Sequence, residues 1–164
     1  MQKKYLMTPG PTPVPSEVLL AQARPMIHHR TPDFNTVVRE CVEGLKYVFQ
    51  TEASDVLIFA SSGTGAMESA IANCFSAGDK VLVGLNGKFG QRMEQISKVY
   101  GLDVTVLEYG WQQVVNPEDI AKWLAANPDA RGVIVTQSET SSGVLNDVQA
   151  VGEIVRKYPD CVLI

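Results

Sequence analysis

Three segments of the chain concentrate small, hydroxylic or aromatic residues directly after apolar runs. The first is Ser61-Ser62-Gly63-Thr64-Gly65-Ala66-Met67-Glu68. Small residues let a ligand approach the backbone. Unpaired N–H groups at a helix start, with the dipole behind them, attract an anion such as phosphate. Ser62 and Thr64 add hydroxyl donors. The glycines stand only at 63 and 65, which is not a dinucleotide fingerprint, and no Gly-Lys-Ser/Thr follows as in a P-loop. The segment reads either as a phosphate cradle or as a tight strand-to-helix turn that needs small residues.

The second segment is Asn86-Gly87-Lys88-Phe89-Gly90-Gln91-Arg92. Phe89, set between two glycines, could stack on a flat ring or pack into the core as a helix-start aromatic. Arg92 reads as a helix-surface or ion-pair residue. The third is Thr136-Gln137-Ser138-Glu139-Thr140-Ser141-Ser142-Gly143, a polar loop whose hydroxyls and amides could bind a polar ligand, with Gly143 permitting a turn. Ligands of parallel α/β sheets bind outside the carboxyl ends of the strands. The three segments follow successive strands and are expected to converge on one side of the sheet.

Other chemistries find little support. Cys41, Cys74 and Cys161 are odd in number and far apart, with no CxxC, and the only two histidines are the adjacent His28 and His29. Neither a disulfide framework nor a zinc site is expected, and no metal ligands are assigned. The cysteines fall in predicted helices or strands and read as core thiols. His28-His29-Arg30 reads as a loop at a site mouth or subunit contact. With 45% hydrophobic and 20% charged residues, the 164-residue chain is a globular sequence, not a disordered one. A formal net charge of −4 leaves no basic surplus for nucleic acid. No apolar run approaches the roughly 18–20 residues that span a bilayer. Pro9, Pro11 and Pro13 interrupt the start where a secretory signal would need apolar continuity. A cytoplasmic protein with reduced thiols is the expectation.

The elements that must position these residues follow from periodicity. Prolines 9, 11, 13 and 15 make residues 1–15 an extended arm. A helix is predicted from Ser16 to about Arg24. A second, capped by Asp33, runs from Phe34 to about Gln50, with Val37, Val38, Cys41, Leu45 and Val48 at helical spacing. From there strands alternate with helices. Strands are predicted over 55–60, 80–84, 103–107, 131–136 and from 161. Helices are predicted over 66–75, 89–100 and 117–126, and from the Asp147 cap to about Tyr158. Asn116 is the expected cap before Pro117. The alternation predicts an α/β fold, a mainly parallel sheet with helices on both faces. The chain stops in the apolar run Cys161-Val162-Leu163-Ile164, which reads as part of a longer protein.

Taken together, Pro9-Gly10-Pro11 with Val14-Pro15, Ser62 to Glu68, Asn86 to Arg92 and Glu139-Thr140-Ser141-Ser142-Gly143-Val144 resemble class V of the fold-type I pyridoxal phosphate (PLP) enzymes. The branch most similar is the serine–pyruvate and alanine–glyoxylate aminotransferases, and the likeness extends over the whole chain. It implies that residues 16–164 form the first half of a PLP-binding large domain. Ser62, Gly63 and Thr64 would bind the cofactor phosphate, Phe89 would stack on the pyridine ring where many relatives carry Trp, and Thr140 would serve the 3-hydroxyl region. Glu139 would support the loop and not react. The Pro-Gly-Pro arm would lie near the substrate entrance. Gln137 departs from a His often found there, and no catalytic role is assigned to it. The ring-nitrogen Asp, the Schiff-base Lys and the substrate Arg would all lie beyond residue 164, so no catalytic residue is expected within this chain, which alone should be inactive. The full-length protein would be a homodimer passing the amino group of alanine or serine to glyoxylate or pyruvate. Phosphoserine or ureidoglycine–glyoxylate aminotransferase, cysteine desulfurase, and a non-enzymatic phosphate- or nucleotide-binding α/β domain are the alternatives.

Overall fold

The computed structural model describes residues 5–164, and the chain divides into two units, residues 1–60 and 61–164. The expected arm over residues 1–15 begins at positions that lie outside the described residues. Residues 5–15 carry no helix or strand, and α1 (Ser16–Gln22) starts directly after Pro15. Helix α2 (Pro32–Phe49) is capped by Thr31, whose hydroxyl accepts from the Phe34 N–H at 3.4 Å, and not by Asp33. Pro32 occupies the first position, where a missing N–H costs nothing, and Asp33 sits in the first turn, where its charge suits the dipole.

Two sequence expectations fail in this unit. The apolar spacing of α2 is present, but neither helix buries a residue, and Val37, Val38 and Cys41 stay exposed. Helices of 7 and 18 residues do not enclose a core by themselves. The expected buried strand over 55–60 is also absent: the segment pairs with no strand among the described residues, and Leu57 and Phe59 are about three-quarters exposed. Its β-branched and aromatic composition favours a strand only where a neighbouring strand supplies hydrogen bonds.

The second unit follows the predicted alternation. Its elements are α3 (Gly63–Cys74), β1 (Lys80–Leu85), α4 (Lys88–Val99), β2 (Asp103–Glu108), α5 (Pro117–Ala126), β3 (Gly132–Val135), β4 (Ser138–Glu139), β5 (Val144–Leu145), α6 (Val148–Val155) and β6 (Val162–Leu163). Asn116 and Asp147 cap α5 and α6 as expected, accepting from the Glu118 and Ala150 N–H groups. Strands pair in the order β2-β1-β3-β6, all parallel, with Val81 opposite both Val104 and Gly132.

The strand residues alternate between two cores. Val81, Val83 and Ile134 pack with Ile71 of α3 and Met93 of α4. Leu82, Val133 and Val135 pack with Ile120 and Leu124 of α5 and Val151 and Val155 of α6. Helices therefore cover both faces, and every strand residue from Val81 to Gly84 and from Gly132 to Val135 is buried. Cys74 is exposed at the end of α3 and Cys161 is half-buried, so neither is the fully packed core thiol expected. Burial pushes the Cys161 thiol above its usual range, partly offset by Arg131.

The strand order reverses between β1 and β3: from β1 the chain moves to β2 on one side, then returns to β3 on the other. A crevice forms at such a switch point, outside the carboxyl ends of the strands. Here it is braced by a buried pair of amides. Asn86, just after β1, donates to the Gln113 carbonyl at 2.9 Å and to Asn146 Oδ1 at 3.0 Å. Asn146 donates to the Thr136 carbonyl at 2.7 Å and to Asn86 Oδ1, and its Oδ1 also accepts from the Val115 N–H at 2.9 Å. The chain segments leaving β1, β2, β3 and β5 are thus tied at one point. Replacing Asn146 by Leu should strand these buried partners and lower unfolding stability by on the order of 3 kcal/mol, read as a shift in urea midpoint, and Asn146→Asp should not restore it, because a carboxylate cannot donate to the Thr136 carbonyl or to Asn86 Oδ1.

Candidate functional site

The second and third polar segments meet at the switch point through one carboxylate. Helix α4 starts at Lys88 after Gly87, which has no side chain to cap it. The cap arrives from the third segment. Glu139, fully buried, accepts from the Phe89 N–H at 2.9 Å and the Gly90 N–H at 3.1 Å through Oε2. Its Oε1 accepts from the Ser141 hydroxyl at 2.5 Å and the Ser141 N–H at 3.2 Å. Ser141 Oγ in turn accepts from the Lys88 N–H at 2.9 Å. Three of the first N–H groups of α4 are therefore satisfied by residues 139–141, and the buried charge lies at the positive end of the helix dipole. Gly87 is required here: a Cβ would run into the Glu139 side chain, with Ser141 Oγ 2.6 Å away.

The third segment is not the open loop expected. It forms an antiparallel hairpin, with Ser138 opposite Leu145 and Glu139 opposite Val144. Gly143 turns it at φ 76°, and the Ser142 and Gly143 N–H groups close back on the Glu139 carbonyl. The hairpin holds Glu139 inward and leaves Thr140 on the exposed side. The Gln137 backbone carbonyl accepts from the Asn146 N–H.

The first segment is helical earlier than the sequence suggested. Helix α3 begins at Gly63, with Ser62 as its cap, so the supposed turn is its first turn. Ser62 Oγ accepts from the Gly65 N–H at 3.3 Å, and the Ser62 carbonyl accepts from the Ala66 N–H. Among the described residues the N–H groups of Gly63 and Thr64 have no hydrogen-bond partner, and a Cβ on Gly63 would meet nothing within 4 Å. The two helix starts thus differ: α4 has its donors used within the protein, whereas α3 presents two donors to open space.

Phe89, Thr136, Ser138 and Thr140 line a cavity of about 330 Å³ together with apolar residues that include Met67, Met93, Ile134 and Ile164, and residues 62–64 are not among its lining. Phe89 is half-buried and lies with its ring beside the Arg92 guanidinium, 5.5 Å from ring centroid to Cζ. Arg92 also donates from Nη1 to Thr64 Oγ1 at 2.9 Å, linking the first segment to the second. The structure thus brings Phe89 and Thr140 to one cavity, and Thr64 to Phe89 through Arg92. Arg92 is exposed on α4, as the helix-surface reading has it, and its contacts to Thr64 and Phe89 were missed because a guanidinium three residues after an aromatic has no distinctive sequence signature. No group of three metal-ligand side chains forms among the described residues. His28 and His29 stack on each other, with ring centroids 4.7 Å apart. No helix among the described residues is long and apolar enough to cross a membrane.

A mainly parallel sheet with helices on both faces is the fold of the family to which the sequence assigns this chain. The chain belongs to the class-V aminotransferase family, whose profile matches residues 4–164. It is 44% identical to the soluble hydrogenase 42 kDa subunit of Anabaena cylindrica, over 99% of this chain and 43% of that protein. It is 39% identical to the L-aspartate–glyoxylate aminotransferase of Paracoccus denitrificans, over 89% of this chain and 37% of that protein. Among solved structures, the subgroup IV aspartate aminotransferase of Thermus thermophilus superposes with a TM-score of 0.88 at 35% identity, over 98% of this chain and 44% of that one. The chain spans about two-fifths of the length of these relatives.

Replacing Glu139 by Gln should leave one acceptor for the α4 amides but remove the charge that four donating groups share. We expect a stability loss of about 1–3 kcal/mol. Hydrogen exchange at the Phe89 and Gly90 amides should rise more than at the Ile120 amide, and equal changes at all three would contradict a cap acting in this place.

Proposed function

We propose that the protein to which this chain contributes is a pyridoxal 5′-phosphate-dependent aminotransferase, and that residues 62–64, 89 and 140 hold the cofactor. The observation that supports this reading is the Arg92 bridge, which ties the first residues of α3 to Phe89, a residue lining a largely apolar cavity. Gly63 and Thr64 offer unpaired N–H groups beside open space, and Ser62 and Thr64 add hydroxyls. Phe89 offers an aromatic ring, and Thr140 a hydroxyl, among the residues lining the cavity. An aromatic ring carrying one phosphate has this division into a flat body and an anionic end. Residues 16–164 then form the first half of a cofactor-binding large domain.

When bound, this cofactor supplies an electron sink for the amino acid Cα–H bond. The residues of this chain bind and orient it. Gly63 and Thr64 hold the phosphate, Phe89 fixes the ring plane, and Thr140 addresses the ring hydroxyl. Glu139 has all its bonding capacity committed to α4 and Ser141, and takes no part in proton transfer. The proton-transferring lysine is expected outside this chain, which is therefore proposed to be inactive by itself, and the active protein is proposed to be a homodimer. Alanine or serine is the proposed donor and glyoxylate or pyruvate the acceptor. A serine–glyoxylate enzyme of Methylorubrum extorquens at 34% identity and an alanine–glyoxylate enzyme of Drosophila melanogaster at 32% support that choice.

The test uses the full-length protein. It should bind pyridoxal 5′-phosphate and transfer amino groups from alanine or serine to glyoxylate. Gly63→Val should weaken cofactor affinity at least tenfold by filling the open space at the helix start, whereas exposed Lys122→Ala should leave it unchanged. Equal affinities for the two variants would remove Gly63 from the site.

A further inference from the structure

We propose that Arg92 is a positioning residue that makes the site selective for a phosphorylated ring, by fixing the direction in which Thr64 donates and the face of Phe89 that stays open. The proposal rests on the reading of this site as a pyridoxal phosphate cradle.

The geometry is specific. Arg92 follows Phe89 by three residues on α4, so the two side chains share one helix face. Its Nη1 reaches Thr64 Oγ1 at 2.9 Å, at the second position of α3. A guanidinium has donors and no acceptor, so in this bond the Thr64 oxygen must accept. The hydroxyl proton is thereby turned away from Arg92 and left to donate, and a charged donor on its oxygen polarises the O–H bond. The Thr64 N–H is unpaired beside it. Thr64 can thus offer an anion two donors, one of them oriented by Arg92.

The same guanidinium lies over the Phe89 ring at 5.5 Å, a cation–π distance. It covers one face of that ring, and Phe89 also lines the cavity, where the proposed planar ligand would meet it. One side chain therefore sets both ends of the cradle, the anion donor through Thr64 and the stacking surface through Phe89. A second tie between α3 and α4 serves as an internal control. Tyr100 donates to Glu68 at 2.9 Å near the far end of α4, without contact to Thr64 or Phe89, and that bond is the main cause raising the Tyr100 pKa.

The experiment compares two ligands on the full-length protein stripped of cofactor: 4′-deoxypyridoxine and its 5′-phosphate. Neither has an aldehyde, so binding reports ring and phosphate contacts alone. Dissociation constants are read by equilibrium dialysis for wild type, Arg92→Gln, Arg92→Lys, Thr64→Val, the Arg92→Gln/Thr64→Val double variant and Tyr100→Phe. The phosphate preference, the ratio of the two constants, should fall about tenfold in Arg92→Gln, the scale of one charge-assisted hydrogen bond. It should fall similarly in Thr64→Val, and no further in the double variant. Arg92→Lys, which keeps charge and fold, should give an intermediate ratio, because an ammonium lacks the planar fork. Tyr100→Phe should keep the wild-type ratio. A ratio unchanged in both Arg92 variants, or losses that add in the double variant, would overturn the role of Arg92 and leave the site reading intact. A wild-type protein that binds both ligands equally would overturn the site reading itself, and with it this proposal.

Discussion

A carboxylate with no solvent exposure, that of Glu139, is the constraint on which the site depends. An unpaired buried charge would be strongly unfavourable. This one is offset by two backbone N–H groups of α4, by the Ser141 N–H and hydroxyl, and by the positive end of the α4 dipole. The arrangement works only because Gly87 leaves the space that the Glu139 side chain fills. Its consequence is positional: Phe89, whose own N–H is one of the donors, cannot move without breaking the cap, and Thr140, next to Glu139, is fixed by the same hairpin. Two distant cavity-lining residues, Phe89 and Thr140, are held to one another by an interaction that itself does no chemistry.

The sheet supplies the rest of the rigidity. The strand order β2-β1-β3-β6 opens a crevice between β1 and β3, and the Asn86–Asn146 pair closes the ladder just beyond it. Both α4 and the hairpin leave the sheet at that point. The crevice is thus framed by the Glu139-capped start of α4 and by the Asn86–Asn146 pair. In the proposed reading the phosphate sits at α3, whose Gly63 and Thr64 N–H groups have no partner among the described residues, and not at α4, whose first donors are taken. Motif spacing shows two helix starts but cannot show which has its donors occupied.

Much of the second unit was legible in the sequence. The alternation of apolar runs and capped helices predicted β1, α4, β2, α5, β3 and α6 within a few residues, because each carries its own signals: Asn116-Pro117, Asp147, and Gly101 after α4. What failed depended on partners. Residues 55–60 have strand composition, but a strand is made by its neighbour. The apolar face of α2 is regular, but burial is a property of what packs on it. Thr31 and Asp33 are both good caps, and only the backbone geometry before Pro32 chose between them. The support role of Glu139 was visible through the family resemblance, whereas its cap of α4 was not, since the Phe89 and Gly90 N–H groups are brought to it from distant positions by the fold. The Arg92–Thr64 bond lay beyond sequence reasoning for the same reason, whereas the Arg92–Phe89 contact is local to α4.

The central claim, that the Glu139-capped start of α4 and the open start of α3 together form one cofactor cradle, is tested most directly by a crystal structure of the full-length protein with pyridoxal 5′-phosphate bound. The account predicts the phosphate at the Gly63 and Thr64 N–H groups and the ring against the Phe89 face opposite Arg92, with the Glu139 carboxylate still accepting from the Phe89 and Gly90 amides. A phosphate held elsewhere, or a Glu139 carboxylate turned out of the α4 cap toward the cofactor, would contradict it.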